Sequence, residues 1–329
     1  MPPLPMQRLD DPFFRVEPVR ADGHLARDGG HAIYWQDAGA VTNMPVIVIH
    51  GGPGGALAET RRRFFDPTKF RVVQFDQRGC GKSTPTGKLE ANSLQATLGD
   101  IEALRENLGI AKWMVSGSSW GSTVAIAYAE AFPERTLGVN LTCLWLCRRE
   151  DVHWWFHGVR TMFPELWESF ASIVSPEERN DLRAAYVRRI LGNDSEVAKK
   201  AGEYLYLYEQ GFMQFDAAFA PADVAGKGGA YGRIFAHYAA NWFFVRENQL
   251  LEDAPRIAHL PIEIVTGRYD CCTPPSNSYD FRAALPNAHL TIVPAGGHFP
   301  TEPAMAPEVA RAPARLYDRI VTAGGWRTL

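Results

Sequence analysis

The chain has 329 residues, of which 46% are hydrophobic and 22% charged, and a formal net charge of −3. This length admits one large α/β core with an inserted subdomain. The near-neutral charge, with no Lys/Arg run longer than Arg61-Arg62-Arg63, argues against a polyanion-binding surface, so nucleic acid is not an expected partner.

The N-terminus, Met1-Pro2-Pro3-Leu4-Pro5, lacks a basic segment followed by an apolar one. No stretch approaches the roughly 20 apolar residues of a membrane span. The expectation is a soluble, cytoplasmic protein with no membrane partner. The five cysteines, Cys80, Cys143, Cys147, Cys271 and Cys272, fit neither a zinc site nor a secreted disulfide framework, so reduced thiols are expected.

Strands are predicted, in order, at Phe14 to Arg20, Ala32 to Gln36, Val46 to His50, Arg71 to Asp76, Trp113 to Ser116 and Val139 to Leu146, from short apolar or alternating runs punctuated by Gly, Pro and Asp. Helical spacing marks Ser93 to Leu108, with Leu94, Leu98, Ile101, Leu104 and Leu108 on one face, and Gly121 to Phe132. From about Arg148 to Pro255 the chain is rich in aromatics and charges at helical spacing, with few strand signals. Strands resume at Ile262 to Thr266 and His289 to Val293, and a last helix is predicted over Pro307 to Thr322. Strand-helix alternation implies a mainly parallel sheet flanked by helices. The division expected is a core of 1–147 and 256–329 and a helical cap of 148–255. The cap's Trp and Tyr residues are more readily core than substrate pocket.

Gly117-Ser118-Ser119-Trp120-Gly121 is a G-x-S-x-G run between a strand and a helix, which makes Ser119 a candidate nucleophile on a sharp turn. Acyl transfer also needs a base, a carboxylate to orient it, and N–H groups for the oxyanion. His298, in Gly296-Gly297-His298, and Asp270, ending Gly267-Arg268-Tyr269-Asp270, each follow one of the last two strands. Taken singly, Asp270 could be a turn-former and His298 a surface residue. The order Ser119, Asp270, His298 is that of α/β-hydrolases. His50-Gly51-Gly52-Pro53-Gly54-Gly55 supplies the oxyanion loop, with the N–H groups of Gly52 and Trp120 as donors. Gly79-Cys80-Gly81-Lys82-Ser83 ends like a phosphate-binding loop, but Asp76 stands where its first glycine belongs. Asp76 and Arg78 are read as turn-stabilising, and no cofactor or metal is expected.

These runs, together with Asp76-Gln77-Arg78-Gly79-Cys80-Gly81 and Pro133-Glu134-Arg135, resemble the proline iminopeptidases, a family of α/β-hydrolase serine exopeptidases. The resemblance spans most of the chain. It implies release of N-terminal proline from small peptides or amides, and a cap whose glutamates bind the substrate's free amino group. One of these falls on Glu209, in Tyr208-Glu209-Gln210-Gly211; at the other, before Asn241-Trp242-Phe243-Phe244, the chain has Ala240. Glu247 and Asp216 are the carboxylates that could substitute. An esterase or amidase acting on a small metabolite, or a silent hydrolase-fold binding protein, are the alternative functions; oligomeric state is not legible.

Overall fold

The computed structural model describes residues 12–213, 226 and 228–326. Its sheet has eight strands: β1 Val19–Arg27, β2 His31–Ala38, β3 Met44–Ile49, β4 Phe70–Phe75, β5 Trp113–Ser119, β6 Thr136–Leu144, β7 Ile262–Gly267 and β8 His289–Val293. Their spatial order is β1-β2-β4-β3-β5-β6-β7-β8. The β1–β2 and β2–β4 pairs are antiparallel and all the others parallel.

β3, β4, β6 and β7 are buried along their whole length because both faces of the sheet are covered. Alternate residues divide between two cores. Ile47, Ile49, Val73 and Val115 pack on the side of α1 Leu94–Asn107 and α2 Trp120–Ala131. Val46, Val48, Val72 and Met114 face Val309, Leu316 and Ile320 of the C-terminal helix Ala306–Thr322. Ser93 caps α1, its hydroxyl accepting from the N–H of Ala96 at 3.2 Å.

The first strand differs from expectation. It spans Val19–Arg27 rather than Phe14 to Arg20, and its residues alternate between partly buried and exposed, as an edge strand's do. Asp28–Gly30 turns it into β2, with Gly29 and Gly30 at φ of 65° and 69°; that Asp-Gly-Gly signal fixes the register better than the apolar residues before it. Phe13 instead packs on Phe64, ring centroids 5.1 Å apart. β6 likewise stops at Leu144, between Cys143 and Cys147, both at positive φ.

Between β6 and β7 the described chain is helical: α3 Arg149–Phe156, α4 Pro164–Ala171, α5 Leu182–Ile190, α6 Ser195–Met213, α7 Gly229–Ala240 and a short α8 Gln249–Glu252. Aromatic rings hold this layer together. Trp155 touches Phe156, Phe170, Tyr208, Phe212 and Phe235, and Phe170 stacks on Tyr186 and Tyr208 at 4.0 and 4.1 Å. Trp120 against Tyr238 and Trp145 against Phe243 bind the layer to the sheet. After β7 come α9 Pro275–Ala284, β8 and the C-terminal helix, α10. No described helix is long and apolar enough to cross a membrane.

Candidate active site

β5 ends in a turn that only glycines permit at two positions. A Cβ on Gly117 would lie 2.0 Å from the carbonyl oxygen of Gly121, and one on Gly121 would lie 2.4 Å from that of Ile49. Ser119 itself sits at φ 57°, ψ −129°, a strained backbone for a side-chain-bearing residue. The strand-to-helix packing around it holds it there.

His298 and Asp270 are brought together at the same sheet edge. Nδ1 of His298 lies 2.9 Å from each carboxylate oxygen of Asp270. The N–H groups of Cys272 and Thr273 donate to Oδ1, and the Thr273 hydroxyl donates to Oδ2. Burial works against charge on Asp270, but the imidazole and these donors outweigh it and hold its carboxyl below the ordinary value. Burial likewise opposes the imidazolium of His298, but the Asp270 carboxylate wins and raises its pKa above the usual histidine value. No hydrogen bond joins Ser119 to the imidazole among the described residues; both line one cavity, and such pairs tighten on substrate binding.

The loop after β3 closes over Ser119. Gln77 clamps it, its N–H donating to Nε2 of His50 at 3.0 Å and its side-chain amide to the His50 carbonyl at 2.9 Å. Because Nδ1 of His50 lies 2.8 Å from the Gly51 carbonyl oxygen, Nδ1 carries the proton and Nε2 accepts. The same Gln77 accepts from the indole of Trp120 at 2.9 Å, so one side chain ties loop to elbow. Gly52 lines the cavity at φ 127°, and Trp120 opens α2, where backbone N–H groups lack helical partners. Asp76 braces the far end, accepting from the N–H groups of Leu57 and Lys82.

The cavity's opposite wall comes from α6 and α7. Glu209 is its only carboxylate among the described lining residues. It is 7% exposed and accepts a hydrogen bond from the Tyr231 hydroxyl. Burial pushes its carboxyl up to about 7, against the pull of Tyr231 and His298. Ala240 ends α7 and is not among the described residues lining the cavity; the α7 side chain facing Glu209 is Tyr231. Glu247 does not substitute for a second carboxylate, being engaged with Arg149, whose N–H it accepts at 3.0 Å. Asp216 lies outside the described residues.

Cys143, Asp270 and His298 place donor atoms within 4.8 Å of one another. The set suits a metal poorly, since burial pushes the Cys143 thiol up to about 12 and its Sγ donates to the His298 carbonyl at 3.1 Å. All five cysteines are free and buried.

A family model described as alpha/beta hydrolase fold matches residues 44–303. Proline iminopeptidase of Xylella fastidiosa (strain 9a5c) is 40% identical over 286 residues, covering 85% of this chain and 91% of its own. Proline iminopeptidases of Arabidopsis thaliana and Neisseria gonorrhoeae are each 36% identical, over 92% and 94% of this chain and 80% and 100% of theirs. The chain belongs to the proline iminopeptidase family. Among solved structures, proline iminopeptidase of Mycobacterium smegmatis superposes with a TM-score of 0.59 at 18% identity, covering 92% of this chain and all of that one. A bacterial membrane phospholipase A superposes at 0.62, also at 18% identity, covering 92% of this chain and 86% of that one. Both likenesses bear on the α/β-hydrolase fold.

Three residues of this family member's site escaped the sequence reading. Thr273 is one, although Asp270 followed by a threonine three residues on is a turn pattern in which the carboxylate accepts local N–H groups. Gln77, beside the near phosphate-loop motif, is another. Glu302 is the third, accepting from the N–H of Gly297 at 2.7 Å and of Phe299 at 3.1 Å, so one carboxylate fixes the peptide on both sides of His298. No local motif announces it.

Proposed function

We propose that the protein is a serine aminopeptidase that releases N-terminal proline from small peptides or amides in the cytoplasm. Ser119 attacks the carbonyl, His298 takes its proton and passes it to the leaving amine, and Asp270 holds the imidazole. The N–H groups of Gly52 and Trp120 receive the oxyanion. The elements between β6 and β7 act as the cap, over residues 148–255.

The observation that carries the reading is Glu209 in the cavity with Ser119 and His298. A carboxyl raised from 4.5 to about 7 represents roughly 3 kcal/mol of unfavourable charge burial. A substrate ammonium beside it relieves that cost, which retains free N-termini and rejects internal peptide bonds. Family membership at about this identity supports proline as the released residue.

The test compares kcat/KM on proline p-nitroanilide, alanine p-nitroanilide and p-nitrophenyl acetate, with Ser119→Ala as blank. Strong proline preference is expected; turnover of the ester alone would replace the aminopeptidase by an esterase.

A further inference from the structure

The arginine run Arg61-Arg62-Arg63 lies in the 3-10 turn Glu59–Phe64, just after the glycine loop. Two of its members are engaged. Arg62 donates to Gln36, Gln74 and Glu59 at 2.8, 3.1 and 3.3 Å, and Arg63 to the Phe14 carbonyl at 2.9 Å. Arg61 is different. Its side chain has neither a hydrogen bond nor an ion pair among the described residues; its contact is with the Phe64 ring, 5.5 Å from the guanidinium carbon to the centroid. The acid on its own turn, Glu59, is bonded to Arg62.

Arg61 lines the cavity that holds Ser119, His298 and Glu209, on the wall built by the core, where Gly52, Gly55 and Ala56 also stand. It also borders a smaller cavity behind Ser118, where the side-chain oxygen of Asn140 is unpartnered. Burial pushes its guanidinium down from the ordinary value. Arg61 is partly buried, and a guanidinium held in a cavity with no anion beside it is less well compensated than one in open water; a carboxylate arriving with the substrate pairs with it through two parallel N–H···O bonds that arginine is shaped to make.

Glu209 and Arg61 come from different walls of this cavity and are not paired with each other. Glu209 belongs to the cap side and Arg61 to the core side, and both line the cavity that holds Ser119. A two-residue peptide carries an ammonium and a carboxylate about 7 Å apart when extended, with its scissile carbonyl between them.

We propose that Arg61 recognises the free carboxylate of the residue following the scissile bond, so that the cavity reads both ends of a zwitterionic dipeptide. This rests on the aminopeptidase reading above. A dipeptide then outcompetes the same sequence with a neutral C-terminus, because only the acid engages both walls.

The experiment measures kcat/KM of the full chain on Pro-Gly and on Pro-Gly amide, for the wild type, Arg61→Gln and Arg61→Lys. The wild type is expected to favour the acid by about tenfold or more, the range of a hydrogen-bonded charge pair. Arg61→Gln should bring the acid-to-amide ratio to about one, and Arg61→Lys should keep part of the preference. A wild-type ratio near one overturns the proposal whatever the variants do, so a variant that fails to fold leaves it testable. A ratio unchanged in Arg61→Gln overturns it too, since a merely structural arginine lowers both substrates in proportion. Failure of the wild type to cleave either peptide, while hydrolysing p-nitrophenyl acetate, removes the aminopeptidase reading and this proposal with it.

Discussion

The two walls of the cavity are built on different physical terms. The sheet wall is fixed by steric fit and hydrogen bonds: Gly117 and Gly121 leave no room for a side chain, Gln77 clamps the loop, and the pair Asp270 and His298 is closed within it. The helical wall offers Glu209, a buried carboxylate with one phenolic donor and an elevated pKa. On the proposed roles, the base and its orienting carboxylate are paired by the protein before the substrate arrives, whereas Glu209, and Arg61 on the core side, are left short of a charged partner.

The largest effect that separates the walls is expected from Ser119→Ala. It should lower kcat about 10⁴-fold or more on amides and esters alike, with the melting temperature near that of the wild type. Residual turnover of one substrate class would place its chemistry elsewhere. Glu209→Gln touches only the other wall, and should lower the ratio of kcat/KM on prolyl amide to that on neutral ester by about a hundredfold, the cost of removing one member of a buried charge pair. A ratio that does not move would take Glu209 out of the amine site.

The pH profile separates the same two terms. The raised pKa of His298 means that its neutral, base-competent form is lost as pH falls through a value above 6.5. The Glu209 carboxylate is lost as pH falls through about 7. An amine-bearing substrate should therefore show a steeper acid limb than a neutral ester, which depends on His298 alone. Equal slopes, or rate retained below pH 5, would contradict this. The smallest effect is expected from Glu302→Gln, which retains one acceptor for the N–H groups flanking His298. It should lower kcat by about tenfold or less on both substrates, as loss of a neutral-for-charged hydrogen bond does, without changing their ratio.

The sheet wall was legible because its chemistry is local. An elbow, a glycine loop and two residues each just past a strand are patterns in the chain, and the sheet's parallel order carries all of them to one edge. The first strand was misplaced although Arg20, Asp22 and His24 alternate with Val19, Ala21, Gly23 and Leu25, because Ala21 and Gly23 are too small to give an apolar signal; Phe14 looks strand-like but its N–H donates to the Arg63 carbonyl, and Phe13 packs on Phe64. The helical wall was harder to read. Whether Ala240 or Tyr231 faces Glu209 depends on the rotation of α7, and that rotation is set by packing on Trp155, Tyr206 and the glycine loop rather than by spacing. Gly54 records this contact, since a Cβ there would lie 2.8 Å from the Tyr231 carbonyl oxygen. Arg61 was hidden for the same reason, because a run of three arginines does not say which one is left without an acid.

The most direct test of a division between a reacting wall and a selecting wall is kcat/KM on proline p-nitroanilide beside its N-acetyl derivative, for the wild type and Glu209→Gln. The account predicts that acetylation costs the wild type about a hundredfold or more, as expected for a lost buried charge pair, and costs Glu209→Gln far less. Equal rates on the free and acetylated substrates in the wild type would contradict it, and leave a hydrolase whose helical wall does not read the substrate's N-terminus.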